Sequence, residues 1–135
     1  KKRTLERENL MKLLIDTSAW IEYFTGSKEG EIVNKYLNEN EILTSVVSLL
    51  ELSYKADKEG WNIRDYLNFI KIKSQIYGIK ESSIIEFGKL YNFSRKKEGS
   101  FGFADAIILM TSKSEEAKIL TKDNHFKNFD NIIML

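Results

Sequence analysis

The segment Leu13-Leu14-Ile15-Asp16-Thr17-Ser18-Ala19-Trp20 is the clearest indication of how this chain folds. Its three aliphatic residues are typical of a short buried strand, which ends at Asp16. Thr17 or Ser18 can then begin a helix that runs through Tyr23, because a hydroxyl side chain can cap the free N–H groups of a first helical turn. A strand that leads directly into a helix is the unit from which α/β proteins are built.

The same alternation continues along the chain. Further strands are predicted at residues 41–44, 78–80, 118–121 and 131–135. Helices with one apolar face are predicted around residues 32–37, 46–58, 63–70, 82–97 and 103–112. Five strands that alternate with helices predict an α/β fold with a mostly parallel sheet covered on both faces. In such sheets, ligands bind beyond the carboxyl ends of the strands, where the winding reverses.

Composition restricts the class of protein. The chain has 135 residues, of which 42% are hydrophobic and 30% charged, as expected for one globular domain. The longest apolar runs, such as 106–110, are too short for a membrane span, and the basic residues at 1–3 are not followed by the apolar stretch of a signal peptide. The absence of cysteine excludes a disulfide framework and a thiolate zinc site. We therefore expect a cytoplasmic protein with no membrane contact.

Charge is unevenly distributed along the chain. The net charge is +1, but the first ten residues carry four basic and two acidic side chains. Residues 11–135 therefore have a net charge of −1, which is unlike a basic nucleic-acid-binding surface. Because Met11 opens the first clear strand, we interpret residues 1–10 as an N-terminal extension or an artificial addition, and residues 11–135 as the domain.

Three acidic residues lie in apolar surroundings. Asp16 follows the first strand, Glu51 interrupts the apolar run 49–52, and Asp105 lies between two alanines ahead of the apolar segment 106–110. Ionised carboxylates are rarely buried unless they are paired or bind a metal, because their desolvation costs several kcal/mol. Three of them in so short a chain suggest that they meet.

A fourth acid, Asp123, follows the strand at 118–121. Asp16 and Asp123 would then both lie at carboxyl ends of strands. The chain has one histidine and no cysteine, so the candidate ligands are oxygens, which favour Mg²⁺ or Mn²⁺ over zinc or copper. The sequence thus predicts a catalytic metal site formed by Asp16, Glu51, Asp105 and Asp123.

Purely structural interpretations of these acids remain open. Asp16 can be a helix N-cap. Glu51 can form a capping box with Ser48, three residues before it, or can face water. Asp105 can cap its helix or pair with a buried cation.

The neighbours of the acids are open to two interpretations as well. Asp123 can be a turn residue, with Asn124 as the ligand in its place. His125 lies in a loop, where a lone histidine is more typical of a structural than of a catalytic residue. Three hydroxyl side chains can orient carboxylates or a water, or can serve only as caps and turn residues: Thr17, Ser18 and Thr121.

Two other groups of side chains have candidate roles. Trp20, Tyr23 and Phe24 have helical spacing, which favours a place in the core or against a partner over base stacking. A set of basic residues could contact phosphates, although most lysines only solvate a helix face. The set consists of Lys71, Lys73, Arg95, Lys96 and Lys97.

Four motifs, in this order, resemble those of PIN-domain proteins. They are Leu14-Ile15-Asp16-Thr17-Ser18-Ala19-Trp20, Ser48-Leu49-Leu50-Glu51-Leu52, Phe103-Ala104-Asp105-Ala106 and Leu120-Thr121-Lys122-Asp123-Asn124-His125-Phe126. The resemblance extends from Met11 to Leu135. It implies a three-layer α/β/α sandwich around a central, mostly parallel five-stranded sheet, and RNA cleavage that depends on Mg²⁺ or Mn²⁺.

The length of the chain resembles that of VapC-like toxins of type II toxin–antitoxin pairs. That resemblance implies an RNA substrate, a homodimer and a small antitoxin protein as partner. A stand-alone RNA-processing PIN nuclease is the alternative, as is a non-catalytic RNA- or protein-binding module, which would be expected to lack one of the acids.

Two other doubly wound classes fit less well. A haloacid-dehalogenase-like phosphatase needs a second Asp two residues after the first, where Ser18 stands. A phosphotransfer receiver needs an acceptor Asp after its third strand, where the segment 79–81 offers none.

Overall fold

Strands and helices alternate throughout residues 10–135, which are the residues that the computed structural model describes. The strands are β1 (Lys12–Ile15), β2 (Glu41–Ser45), β3 (Gln75–Tyr77), β4 (Lys118–Thr121) and β5 (Ile132–Met134). The helices are α1 (Thr17–Phe24), α2 (Lys28–Glu39), α3 (Val46–Glu59), α4 (Ile63–Lys73), α5 (Glu81–Lys97) and α6 (Phe103–Glu115). A 3-10 turn spans Asn124–Phe126.

The predicted N-terminal extension, residues 1–10, lies outside the described residues except for Leu10, which is exposed. Within the described part, no helix has both the length and the apolar character that a membrane span requires.

All five strands are parallel and lie in the order β3-β2-β1-β4-β5. The chain winds from β1 outward to β3 and then returns to the other side of β1 with β4 and β5. The winding therefore reverses between β1 and β4, and a ligand site is expected beyond the carboxyl ends of these two strands. Asp16 follows β1 at this point, and its backbone N–H donates to the carbonyl of Leu120 at 3.0 Å.

The core lies on both faces of the sheet, which confirms the three-layer α/β/α sandwich. Leu13 and Ile15 pack on one face with Trp20, whereas Leu14 packs on the other face with Phe101. This division follows from the period-2 alternation of side chains in a strand. Each fully buried aliphatic or aromatic side chain contributes about 1.5–3 kcal/mol to folding, so a strand that is apolar on both faces can be stable only between two helical layers.

One predicted strand is displaced in the structure. We expected β3 at residues 78–80, but it spans Gln75–Tyr77, with Gln75 beside Leu43 of β2. Ile76 and Tyr77 pack into the cores on opposite faces of the sheet, whereas Gly78 and Ile79 are exposed. The prediction took the glycine as the start of the strand, but the strand ends there.

The aromatic residues of α1 pack within the chain, against α4. Trp20 is fully buried, and its indole N–H donates to the Thr44 hydroxyl at 3.2 Å. Tyr23 stacks on Phe69 with ring centroids 5.1 Å apart, and Phe24 stacks on Tyr66 at 4.1 Å. The core interpretation of these rings is therefore confirmed.

Candidate metal centre

The four predicted acids line one cavity of about 540 Å³. Asp16 and Asp123 follow β1 and β4, Glu51 lies in α3, and Asp105 lies in the first turn of α6. The structure thus brings together side chains that are far apart in sequence, at the edge of the sheet where the winding reverses.

Asp16 is a buried carboxylate held by two hydroxyls. It is only 5% exposed, and its Oδ2 accepts hydrogen bonds from Thr121 Oγ1 at 2.8 Å and Ser18 Oγ at 3.0 Å. Asp16 is the N-cap residue of α1, but its side chain makes no capping hydrogen bond, so capping does not account for the position of this carboxylate. Burial raises the pKa of Asp16 to about 6, against the opposite effect of the two hydroxyl bonds.

The two hydroxyls are themselves oriented by the backbone after β4. Ser18 Oγ accepts the N–H of Lys122 at 2.9 Å, and Thr121 Oγ1 accepts the N–H of Asp123 at 2.9 Å. Because each oxygen accepts from a backbone N–H, its own proton is available for the Asp16 carboxylate. Thr121, Ser18 and Asp16 therefore form one network that ties the end of β1 to the end of β4.

Glu51 lies on an exposed face of α3, so the expected burial of this residue is wrong. The helix begins at Val46 with Ser45 as its N-cap, which excludes the capping box with Ser48. The Glu51 carboxylate accepts a hydrogen bond from the buried Thr17 Oγ1 at 2.7 Å. Partial burial of the carboxyl raises the pKa of Glu51, and the charges of Asp105 and Asp123 act in the same direction.

Asp105, Asp123 and His125 form the tightest cluster of the site. Each offers a ligand atom within 4.8 Å of the other two. Asp105 Oδ2 accepts the N–H of Gly102 at 2.7 Å and lies 3.0 Å from His125 Nδ1. The capping interpretation of Asp105 is therefore correct, and the cap uses only one of its two oxygens. Asp123 Oδ1 accepts the backbone N–H of His125 at 2.9 Å and lies 3.5 Å from Nδ1.

His125 is a site residue that the sequence prediction left out. Partial burial lowers its pKa, but the hydrogen bond to Asp105 and the charge of Asp123 outweigh that effect, so the net pKa is raised. The spacing Asp123-x-His125 is the local signal that could have found it, because Asp123 caps the 3-10 turn on which the ring lies. Asn124 is exposed and does not line the cavity, whereas Asp123 does.

One oxygen of each carboxylate is held by the protein, and the other accepts no side-chain hydrogen bond within residues 10–135. The held oxygens are Asp16 Oδ2, Glu51 Oε1, Asp105 Oδ2 and Asp123 Oδ1. Four carboxylates that face one cavity, each with a fixed orientation and one available oxygen, fit the oxygen-rich coordination that Mg²⁺ and Mn²⁺ prefer.

One wall of the cavity is formed by α3, from Leu50 to Glu59, and includes Glu51. Lys55 and Lys58 are the cationic residues of the lining. None of the basic residues that the sequence analysis selected lines the cavity: Lys71 and Lys73 lie on α4, and residues 95–97 lie on α5.

Comparison with known proteins places these motifs in a family. Residues 13–132 match the PIN domain. The chain belongs to the PIN-domain family. It is 29% identical over 127 residues to Ribonuclease VapC1 of Methanocaldococcus jannaschii, an alignment that covers 93% of this chain and 86% of that relative.

Solved structures share the PIN fold with this chain. VapBC2 from Rickettsia felis, solved with a DNA fragment from its promoter, matches with a TM-score of 0.72 and 20% identity over 93% of this chain and 98% of that one. VapC20 of Mycobacterium tuberculosis, a sarcin-ricin loop cleaving toxin, matches with a TM-score of 0.65 and 12% identity over 88% and 95%. The fold implied by the four sequence motifs is therefore confirmed.

Proposed function

We propose that this PIN-domain protein is a metal-dependent endoribonuclease and the toxin of a toxin–antitoxin pair. The observation that carries the proposal is the cavity in which four carboxylates each have one oxygen held and one available. The 29% identity to a VapC ribonuclease supports RNA as the substrate.

Asp16, Glu51, Asp105 and Asp123 would hold the ion, Mg²⁺ or Mn²⁺. When bound, such an ion supplies a water of lowered pKa and positive charge beside the phosphate oxygens. The ion would also offset the negative charge of the cavity, which otherwise repels a polyanionic substrate.

The residues of the chain itself would orient the reacting groups. Ser18 and Thr121 fix Asp16, Thr17 fixes Glu51, and His125 with the Gly102 N–H fixes Asp105. Such second-layer hydrogen bonds keep ligands in one rotamer before the substrate arrives. Asp123, partly exposed, would hold the attacking water or complete a second metal position. Hydrolysis then forms a bond from the water oxygen to phosphorus and breaks one phosphate ester bond.

A homodimer and a small antitoxin are part of the same proposal. The outer helix α5 exposes large apolar side chains, with Ile84, Ile85 and Phe93 all more than half exposed. Exposed apolar side chains on one element are consistent with a subunit or partner contact. The VapBC complexes among the structural relatives support a protein partner for this chain.

Cleavage of labelled RNA with and without divalent ions tests the catalytic proposal. We expect cleavage in Mg²⁺ or Mn²⁺, none in EDTA, and none with Asp105→Asn in either condition. Asp57→Asn is the matched control, because Asp57 lies on the exposed surface of α3 outside the cavity. RNA binding without cleavage by the unmodified protein would indicate a non-catalytic module instead, and equal cleavage in EDTA would exclude the metal site.

A further inference from the structure

The α3 wall of the cavity carries a set of side chains that the metal site does not use. Leu50 and Tyr54 are 65% and 72% exposed, although both are large and apolar or aromatic. Lys55 and Lys58 line the same wall and form no ion pair within residues 10–135. An exposed ring between an acidic cluster and unpaired cations differs from an ordinary solvated helix face.

The order of these side chains along α3 follows the helical period. Tyr54 lies three residues after Glu51, and Lys58 lies four residues after Tyr54, so the three side chains form one stripe. At 1.5 Å per residue, the stripe is about 10 Å long.

Along the stripe, an acidic side chain is followed by an aromatic ring and then by a basic side chain. A nucleic acid strand could contact all three in turn. Glu51 belongs to the acidic cluster, where the scissile phosphate would lie. Tyr54 offers a ring face, and every unpaired base can stack on such a face. Lys58 offers positive charge for a phosphate further along the strand.

From this order we infer that Tyr54 and Lys58 form a substrate subsite that binds an unpaired nucleotide next to the cleaved bond: Tyr54 stacks on its base and Lys58 pairs with a backbone phosphate. The inference rests on the proposed ribonuclease function. The subsite requires a nucleotide whose base has a free face, because a base inside a duplex has none for a ring on a convex helix.

The position of this wall favours RNA over a protein as its occupant. A protein partner would cover Leu50 and Tyr54 equally well, and the α3 lining has two acidic and two basic residues, Glu51 and Glu59 with Lys55 and Lys58, so net charge does not decide between them. An RNA strand whose scissile phosphate lies at an ion held by the acids would pass Tyr54 and then Lys58 along α3, so a single ligand would contact the ion, the ring and the lysine.

Tyr54 variants test the stacking contact. The probe is a short unstructured labelled RNA, and binding is measured by anisotropy with Asp16→Asn as the background, so that the probe is not cut. Tyr54→Ala should weaken binding about 5- to 150-fold, and Tyr54→Phe should restore it because the ring remains. Ile72→Ala, which removes an exposed apolar side chain of α4 outside the cavity, should leave binding unchanged. When the probe is annealed to its complement, the proteins with and without Tyr54→Ala should bind it with the same affinity.

Lys58 is tested through salt dependence. Lys58→Gln should reduce the slope of log affinity against log salt by about 0.7, the contribution of one phosphate contact on a single strand. Lys71→Gln, on the exposed side of α4 away from the cavity, should leave the slope unchanged.

The outcomes separate this inference from the proposed function. If the unmodified protein does not cut RNA, the ribonuclease proposal fails. If it cuts RNA but Tyr54→Ala matches it in affinity and in kcat/KM, only the subsite is wrong. If Tyr54→Ala loses binding of a co-purified antitoxin while RNA affinity is retained, the wall is a protein-docking surface and the inference is overturned.

Discussion

The cavity has two sides that hold their carboxylates in different ways. On the strand-end side, defined by Asp16, Ser18 and Thr121, a nearly fully buried acid is held by neutral hydroxyls. On the helix side, defined by Glu51, Asp105 and His125, the acids are more exposed, and Asp105 is held by a backbone N–H and an imidazole.

The two sides differ in the free energy that is needed to keep a carboxylate charged. Neutral donors in a dry site orient Asp16 without compensating its charge, so its pKa rises to about 6 and the metal-free protein carries an unfavourable carboxylate at neutral pH. A cation that binds there would remove that cost. The helix side is solvated and has a partly cationic donor, so it can stay ordered without the ion. We expect the strand-end side to dominate metal affinity and the helix side to orient what is bound.

Asp16→Asn should have the largest effect. The amide oxygen can still accept from Ser18 and Thr121, so the fold should persist, but the charge that attracts the ion is gone. RNA cleavage should fall to the level seen in EDTA, a loss of more than about 100-fold, since even second-layer residues of metal sites are worth 10–100-fold. A kinetic assay in Mn²⁺ measures this loss, and circular dichroism checks the fold.

Asp16→Asn should also change how strongly Mn²⁺ stabilises the fold. Ligand binding to the folded state stabilises the unmodified protein by RT ln(1 + [L]/Kd), about 2.7 kcal/mol at a hundredfold excess over Kd. The melting temperature should therefore rise with Mn²⁺ in the unmodified protein and much less in Asp16→Asn. An equal rise in both proteins would mean that Asp16 is not a ligand.

The pH dependence of stability should also separate the two sides. In EDTA, the native protein holds the Asp16 proton up to about pH 6, whereas the unfolded chain releases it near 3.8. The native state therefore binds more protons in this window, and stability falls as pH rises through it, by about 3 kcal/mol in total. Urea unfolding of the unmodified protein and of Asp16→Asn at several pH values measures the difference between them.

That difference isolates Asp16 from other titrating groups. The raised pKa values of Glu51 and His125 also make the folded protein lose stability as pH rises, but both groups are present in the two proteins, so most of their contribution cancels in the subtraction. A difference between the two proteins that does not change with pH would show that Asp16 titrates normally, and the buried-charge explanation would then be wrong.

His125 tests the helix side. Because Asp105 is a carboxylate that already accepts the Gly102 N–H, the His125 Nδ1 must donate to it. His125→Ala should weaken Mn²⁺ binding about 10- to 100-fold, as measured by calorimetry. His125→Asn should recover most of that loss, because the asparagine amide places an N–H close to the position of Nδ1, and His125→Gln should recover less. Equal losses with Asn and Ala would indicate that the imidazole itself binds the ion.

The two sides also differ in how far the sequence could predict them. Asp16 was predictable because it depends on a local pattern, an acid directly after an apolar strand, and parallel strands end at the same edge of a sheet. The exposure of Glu51 was not, because the face that a helical residue presents depends on where the helix begins. With Ser45 as N-cap, Leu52 turns into the core while Leu50 and Glu51 turn towards solvent and the cavity.

The residues that the sequence analysis missed depend on contacts that are distant in sequence. His125 gains its role only when Asp105, twenty residues away, lies 3.0 Å from its ring. Lys58 was indistinguishable from other surface lysines until α3 was placed along the cavity. The short edge strand β3 was displaced for a related reason: its three residues carry too little pattern to define a register without the neighbouring β2.

The smallest effects should come from a matched pair of hydroxyl deletions, Thr121→Val and Thr17→Val, which remove the same group from the two sides. Thr121 is fully buried and donates to Asp16, and it also accepts the Asp123 N–H. Thr121→Val should cost about 1.5–3 kcal/mol in EDTA at pH 8, where Asp16 is charged, and less at pH 5, where the carboxyl is largely protonated. Thr17→Val removes one bond to the more exposed Glu51 and should cost about 0.5–1.5 kcal/mol at pH 8. Denaturant titration of both variants measures these values. If the two substitutions cost the same at pH 8, burial does not distinguish the sides of the cavity, and the raised pKa of Asp16 needs another cause.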